Sequence, residues 1–110
     1  MDRVLTILEV SRKQDYIFAR KRMRENARRS EEIAYATSSA FFRECAGELY
    51  DEERNMVYAG GGHTVLQFDG REQAVAFTRA VTETALRRFD GMEIFARTLP
   101  YDESRTPGEN

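Results

Sequence analysis

The hydrophobic and polar positions of the chain form short runs that predict four β-strands. Residues Val4 to Val10 are β-branched and leucine-rich and nearly continuous in hydrophobicity up to Glu9, which is typical of a strand covered on at least one face. Two shorter apolar runs, Asn55 to Ala59 and Thr64 to Phe68, flank three consecutive glycines and predict a β-hairpin. The run from Met92 to Ala96 predicts a last strand.

A first helical region separates the first strand from the hairpin. Helix-forming residues dominate positions 12–50, which contain no proline and carry apolar residues at helical spacing. The region is long for a single helix. Because Asn26 and Ser30 are both capping types and two acids follow Ser30, we expect a break between Met23 and Ser30.

A second helix is predicted after the hairpin. Its apolar stripe recurs every three or four residues and stops at Asp90-Gly91, where a helix end is expected. Asp69 is the expected N-cap, since its carboxylate can accept hydrogen bonds from the first turn. The stripe comprises Ala74, Phe77, Val81, Ala85 and Phe89.

This order of elements predicts an α+β fold, the ferredoxin-like palm (βαββαβ), with a four-stranded antiparallel sheet and two helices on one face. From the right-handed crossovers we expect the first strand and the hairpin's first strand to lie side by side in the middle of the sheet. Glu9 would then meet the glycine turn. We assign residues 1–99 to the palm domain and residues 100–110, which hold both prolines, to a flexible C-terminal tail.

The composition is that of one small globular domain of 110 residues. No apolar run is long enough to span a bilayer, and the N-terminus lacks the features of a signal peptide, so we predict a cytoplasmic protein with no membrane partner. The single cysteine, Cys45, cannot form an internal disulfide and is expected to be a small buried hydrophobic residue on a helix.

Positive charge is concentrated in one stretch of a chain whose net charge is −2. Between Arg12 and Arg29, eight basic residues stand against two acids. Such a block suits the phosphates of a nucleotide or of RNA, but from charge alone a solvated helix face paired with neighbouring acids is the favoured interpretation. The candidate phosphate-contacting residues are Arg12, Lys13, Arg20 and Lys21.

The junction of the first strand with the hairpin is where palm-type polymerases and nucleotide cyclases hold two Mg²⁺ ions with carboxylates. Here the first strand supplies Glu9, which could hold a metal ion, but the hairpin offers His63 and no carboxylate before Asp69. Imidazole is a poor ligand for Mg²⁺. We therefore expect this site to lack polymerase or cyclase chemistry.

Two segments together carry a family resemblance. EVSRKQDYIFARKRMRENARRS, followed later by VYAGGGHTVL, resembles the first palm domain of the polymerase-like large subunit of type III CRISPR effector complexes. In that family a first-strand acid leads into a serine, a Gln-Asp-aromatic-Ile-aromatic box, a basic segment, a helix and a glycine-triplet hairpin. The box here runs from Gln14 to Phe18. The chain departs from the family at Arg12 and Lys13, because a glycine usually follows the serine.

The resemblance implies a function. The family's second palm carries a GGDD turn that makes cyclic oligoadenylates, whereas its first palm has a glycine turn without the acids, as in YAGGGHTVL. It implies a degenerate nucleotide-binding or scaffolding palm in a CRISPR-associated antiviral defence protein, with ATP and Mg²⁺ as candidate ligands. Its partners would be a second palm or a second copy, and an RNA-containing effector complex. The implied nucleotide-binding residues are Glu9, Ser11, Tyr58, Gly60, Gly61, Gly62 and His63.

Two alternative functions remain open at this stage. A minimal stand-alone nucleotide cyclase, making cyclic oligonucleotides as a homodimer, would need Glu9 together with Asp69 or Asp15. A bare RNA-binding module is disfavoured because the central strands lack a base-stacking aromatic pair. Two residues also have two interpretations each. Tyr58 would either face a purine or pack in the core, and His63 would be either a ligand or a hairpin residue hydrogen-bonded to the backbone. We expect the chain to be an excised part of a longer protein.

Overall fold

The computed structural model describes residues 3–11, 16–17 and 23–100. Nine elements follow one another in the described part of the chain. They are β1 (Val4–Ser11), α1 (Met23–Ala36), α2 (Ser39–Ala46), a 3-10 turn (Gly47–Leu49), α3 (Glu52–Asn55), β2 (Met56–Gly60), β3 (His63–Phe68), α4 (Arg71–Arg88) and β4 (Glu93–Pro100). None of the helices among these residues is long and apolar enough to cross a membrane.

The strands form one antiparallel sheet in the order β2-β3-β1-β4, which confirms the predicted α+β architecture. The expected neighbour of β1 was wrong, because the hairpin's second strand, β3, pairs with β1 and the first strand, β2, lies at the edge. The strand directions explain this order. The crossover after β1 returns the chain parallel to β1 one position further out, and the antiparallel β3 fills the gap between them.

The core lies between one face of the sheet and the helices. Alternate residues of β1, namely Val4, Leu8 and Val10, are buried against it, as the two-residue period of a strand requires. The predicted stripe of α4 is buried throughout. At its centre the Phe77 ring lies 5.2 Å from that of Phe42, measured between centroids.

Within residues 23–50, the first helical region is interrupted later than predicted. In the described residues α1 continues without a break from Met23 to Ala36, so the expected break before Ser30 was wrong. The chain turns instead at Thr37 and Ser38. Ser38 caps α2, its Oγ accepting a hydrogen bond from the Phe41 N–H at 3.4 Å.

The turn between α1 and α2 is tied to the sheet. The buried Thr64 hydroxyl on β3 donates a 2.6 Å hydrogen bond to the Thr37 carbonyl, and the Thr37 hydroxyl donates to the Ile33 carbonyl at 3.0 Å. Thr64 is 0% exposed and Thr37 is 3% exposed, so water does not compete for these groups. The position of the helix break therefore depends on a contact with a distant strand.

The N-terminal end of α4 differs from the prediction, whereas its C-terminal end agrees with it. Gly70, rather than Asp69, is the N-cap residue, and it makes no side-chain cap hydrogen bond. At the other end the Phe89 N–H donates to the Ala85 carbonyl at 2.8 Å, and Gly91 reverses the chain with a φ of 84°. The last strand begins at Glu93 and is longer than predicted, reaching Pro100.

Pro100 pairs in register with Val4, whereas residues 101–110 lie outside the described part of the chain. The boundary at residue 99 and the flexible tail stay predictions. Cys45 is partly buried against the core, and this burial raises the pKa of its thiol.

Two tyrosines make hydrogen bonds to carboxylates outside the sheet. Tyr16 is 4% exposed and its hydroxyl donates to Glu32 Oε1 at 2.8 Å; burial and this carboxylate raise the pKa of Tyr16 to about 12. Tyr35 donates to Glu44 at 2.6 Å. Arg88 on α4 also donates to both oxygens of Glu44, and these hydrogen bonds lower the pKa of Glu44 to about 2.

Candidate functional site

The turn between β2 and β3 is a two-residue hairpin in which both central residues have positive φ angles. Gly60 pairs with His63, and between them Gly61 and Gly62 have φ angles of 60° and 82°. Positive φ at both residues is the signature of a type I′ turn, whose twist suits a hairpin. The turn geometry therefore accounts for two of the three consecutive glycines.

Gly60 needs a different explanation, because its φ is not among the positive values. A Cβ atom at this position would lie 3.0 Å from the Tyr58 hydroxyl. The Tyr58 ring is 58% exposed and could move aside, so this contact alone does not demand glycine. Because Gly60 has no side chain, no atom beyond its backbone covers the surface beside the Tyr58 hydroxyl.

The turn is held against the end of β1. The Val10 N–H donates to the Gly62 carbonyl at 2.9 Å, and Glu9 lies directly across from His63 in the strand register. The prediction that Glu9 and the glycine turn come together is confirmed by this register. Gly62 is buried, so it serves the turn and its contact with β1 rather than an outer surface.

Glu9 and His63 form the polar centre of the site. Their closest atoms, Glu9 Oε2 and His63 Nδ1, are 3.9 Å apart. The side chains are 49% and 38% exposed, respectively, so both remain accessible to a ligand. Among the described residues, the partner of Glu9 is thus an imidazole from the neighbouring strand.

Tyr58 belongs to this surface and not to the core. Its ring is 58% exposed and its centroid lies 6.3 Å from that of His63. The core-packing alternative for Tyr58 was therefore wrong. A flat, exposed aromatic ring beside an imidazole can stack against a nucleobase.

Ser11 lies two residues after Glu9 on β1, so the two side chains share one face of the sheet. Its hydroxyl donates to Glu93 Oε2 at 3.2 Å, and the two residues are partners in the register of β1 and β4. Sequence reasoning missed Glu93 and also Phe95, which pairs with Glu9 and is 63% exposed. The available signal was topological, because in this fold the start of β4 lies beside the end of β1.

The basic candidates Arg12, Lys13, Arg20 and Lys21 lie outside the described residues, as does Asp15. Asp69 is described, and it follows Phe68, which pairs with Val4 at the opposite end of β1 from Glu9. The strand geometry, at about 3.3 Å per residue, keeps Asp69 far from Glu9. Asp69 therefore cannot complete a metal site with Glu9, which removes one of the two pairings, Asp69 or Asp15, that the minimal-cyclase hypothesis named.

The described residues do not fit a two-magnesium centre. No group of three or more His, Cys, Asp or Glu side chains among them is placed to hold a metal ion. Glu9 and His63 provide one carboxylate and one imidazole, whereas Mg²⁺ prefers oxygen ligands and retains its waters. What these residues can do is present a hydrogen-bonding edge beside an aromatic ring.

Solved structures of Csm1 share this fold. Csm1 from T. onnurineus is 18% identical, with a TM-score of 0.67 over 91% of this chain and 15% of that chain. Csm1-Csm4 cassettes in complex with cA4 and with one ATP are each 19% identical, with a TM-score of 0.69 over 96% of this chain and 17% of theirs. No protein-family model matches the chain, and no curated protein does.

This likeness confirms the predicted resemblance at the level of the fold, that of a palm domain of a type III large subunit. The chain spans only 15% to 17% of the length of these Csm1 chains.

Proposed function

We propose that this chain is a nucleotide-binding palm domain without two-metal chemistry of its own. It belongs to a CRISPR-associated, polymerase-like defence protein, in which it lies against a second, active palm. The observation that carries the proposal is the pairing of Glu9 with His63 on a glycine turn that contributes no carboxylate. The palm fold shared with Csm1 supports the class of protein.

The absence of an acidic turn argues against nucleotidyl transfer on electrostatic grounds. Two divalent cations about 3.5 to 4 Å apart repel each other strongly unless several anionic ligands surround them. Glu9 supplies one negative charge, and His63 supplies none. Glu93, the other carboxylate at this end of the sheet, accepts a hydrogen bond from Ser11.

The surface beside the turn suits the base of a nucleotide. Tyr58 offers an exposed ring, His63 offers imidazole nitrogens, and Gly60 adds no side chain that would hold a ligand away from Tyr58. The triphosphate would extend toward Arg12 and the other basic residues that follow Ser11 in the chain. The Csm1-Csm4 structures with one ATP and with AMPPNP support a nucleotide as the ligand class.

A protein partner follows from the same comparison. Csm1 is found in cassettes with Csm4, in chains several times longer than this one. These structures support a place for this palm within a larger assembly, against a second palm and a further subunit. The cytoplasm remains the predicted location.

Calorimetric titration with AMPPNP tests the binding half of the proposal. We expect weak binding that decreases as salt increases, because added ions screen the basic residues. Tyr58→Ala should weaken binding at least about fivefold, since stacking on an aromatic ring contributes about 1 to 3 kcal/mol per base. Leu49→Ala is the matched control, because Leu49 is an exposed apolar residue, 43% accessible, outside the site.

Two results would contradict the binding site. One is the absence of any AMPPNP binding at millimolar concentration by a protein that is folded by circular dichroism. The other is equal loss of affinity in Tyr58→Ala and Leu49→Ala. A Gly60→Ala variant adds a finer test, because a methyl group beside Tyr58 should reduce affinity without unfolding the hairpin.

A further inference from the structure

The outer edge of β4 is a long strand edge that no described residue pairs with. The two edges of the sheet differ, because β2 has five residues and an irregular register between Met56 and Tyr58, whereas β4 has eight residues in continuous register with β1. Bulges and short strands are the usual protection of a sheet edge against pairing. The β2 edge has this protection and the β4 edge lacks it.

The register identifies which backbone groups of β4 point outward. The Val10 N–H points to β3, where it meets the Gly62 carbonyl, so the backbone groups of its neighbour Glu9 point to β4. Glu9 pairs with Phe95, and the backbone of Phe95 therefore points inward to β1. The N–H and C=O groups of the flanking residues, Ile94 and Ala96, point to the outside.

The side chains on the open face of β4 are self-complementary. Glu93, Phe95 and Arg97 alternate with the helix-facing residues, and all three are exposed, Phe95 by 63%. When two copies of this strand run antiparallel and are centred on Phe95, each Glu93 lies opposite Arg97 of the other copy. Opposite charges directly across a strand pair are stabilising, and so are aromatic pairs.

We propose that β4 pairs with β4 of a second copy of this chain, antiparallel and centred on Phe95, to form one continuous sheet. Ile94 and Ala96 of the two copies exchange main-chain hydrogen bonds, and two Glu93–Arg97 ion pairs flank a Phe95–Phe95 contact. This pairing uses the outer edge of β4, and two of its residues also border the candidate site, because Phe95 lies across from Glu9 and Glu93 lies across from Ser11.

Other registers with the same faces aligned are less complementary. Centring the pair on Arg97 places two guanidinium groups directly opposite each other, and like charges in that position are destabilising. Centring it on Ala96 places Glu93 opposite Leu99, so the carboxylate has no charge partner across the strand. Charge complementarity therefore selects the register centred on Phe95.

The helix side of the same edge is open and partly apolar. Two adjoining cavities of about 360 and 210 Å³ lie between α4 and β4, the second lined by Leu86 and Ile94 among others. Leu86 is 70% exposed and Val75 on the same helix is 48% exposed. Pairing of two β4 strands brings the two α4 helices to the same side of the joined sheet, where these side chains become less accessible.

A charge-swap experiment tests the pairing. In analytical ultracentrifugation over a range of concentrations, the wild-type chain should show a weak monomer–dimer equilibrium. Glu93→Arg and Arg97→Glu should each raise the dissociation constant about tenfold or more, because each places like charges opposite one another. The double variant, Glu93→Arg with Arg97→Glu, should restore dimerisation to within about threefold of wild type.

The matched control is Glu72→Arg, which makes the same charge change at an exposed position at the start of α4. It should leave the dissociation constant unchanged. A strictly monomeric wild type at millimolar concentration, or a double variant as weak as either single variant, would overturn the proposal. Equal effects of Glu72→Arg and Glu93→Arg would overturn it as well, since the effect would then be one of net charge.

Cysteine cross-linking tests the register independently of charge. Residues directly opposite in a non-hydrogen-bonded antiparallel pair have Cα atoms about 4.5 Å apart, within the range of a disulfide. In a Cys45→Ala background, Phe95→Cys should form a disulfide-linked dimer under mild oxidation faster than Arg97→Cys does. Faster cross-linking of Arg97→Cys, or none by either variant while both remain folded, would contradict the register centred on Phe95.

Discussion

Replacing Gly61 tests whether the glycine turn is built as a type I′ hairpin. Gly61 has a φ of 60°, and a Cβ atom there would meet nothing within 4 Å, so the cost of Gly61→Ala is conformational and not steric. The left-handed conformation costs an L-residue about 1 to 2 kcal/mol. Alanine also restricts the unfolded chain, which offsets about 0.4 to 1 kcal/mol. We expect Gly61→Ala to lower the free energy of unfolding by about 0.5 to 1.5 kcal/mol, by urea denaturation.

Two other substitutions make the argument specific. Gly61→Asn should cost less than Gly61→Ala, since asparagine tolerates this conformation and Asn-Gly is favoured in type I′ turns. Gly60→Ala should change stability by less than about 0.5 kcal/mol, because Gly60 has no positive φ and its neighbour, the exposed Tyr58 ring, can move. Equal costs for Gly61→Asn and Gly61→Ala, or a larger cost for Gly60→Ala, would refute the assignment of the turn.

Three further changes test the rest of the fold. Thr64→Val removes the 2.6 Å hydrogen bond to the buried Thr37 carbonyl and should lower the free energy of unfolding by about 1 to 3 kcal/mol, more than Thr64→Ser does. Hydrogen bonds from Arg88 and Tyr35 lower the pKa of Glu44 from 4.5 to about 2. The stability that ionised Glu44 contributes is therefore present above pH 4.5 and is lost as the pH falls to about 2. In that window the urea midpoint of Glu44→Gln should depend less on pH than that of the wild type. Burial raises the pKa of Tyr16 from 10.0 to about 12, so stability should fall as the pH rises between these values, and Tyr16→Phe should reduce that loss, as followed by thermal unfolding.

The parts of the fold that follow local periodicity were predictable from the sequence. Every member of the stripe from Ala74 to Phe89 is buried, because a 3.6-residue repeat of apolar side chains has one stable use in a small domain. The meeting of Glu9 with the glycine turn was also predictable. It depends on the topology alone, and any antiparallel arrangement that centres β1 beside the hairpin brings the end of β1 to the turn.

Features that depend on distant contacts were not predictable. The helix break lies at Thr37 and Ser38, where the Thr64 hydroxyl on β3 donates a hydrogen bond to the buried Thr37 carbonyl. Asn26 and Ser30 are both capping types, but α1 continues through both positions. Capping propensity indicates where a helix can end, and tertiary hydrogen bonds decide among the candidates.

The candidate site was found in part. Glu9, His63 and Tyr58 share one surface, as the sequence indicated, whereas Glu93 and Phe95 were missed because the last strand was considered only as an element of the fold. Two of the three glycines meet a backbone requirement that the sequence pattern alone did not separate from ligand binding. The φ angles make that separation, and they leave Gly60 as the glycine beside the exposed Tyr58 ring.

The most direct test of the central claim is mass spectrometry of the products formed when this chain is incubated with ATP and GTP in Mg²⁺ or Mn²⁺. A palm with one carboxylate and one imidazole at its turn should release no cyclic or linear oligonucleotide, even though it binds AMPPNP. A cyclic dinucleotide formed by the wild type and lost in Glu9→Ala would contradict the account and favour a minimal nucleotide cyclase.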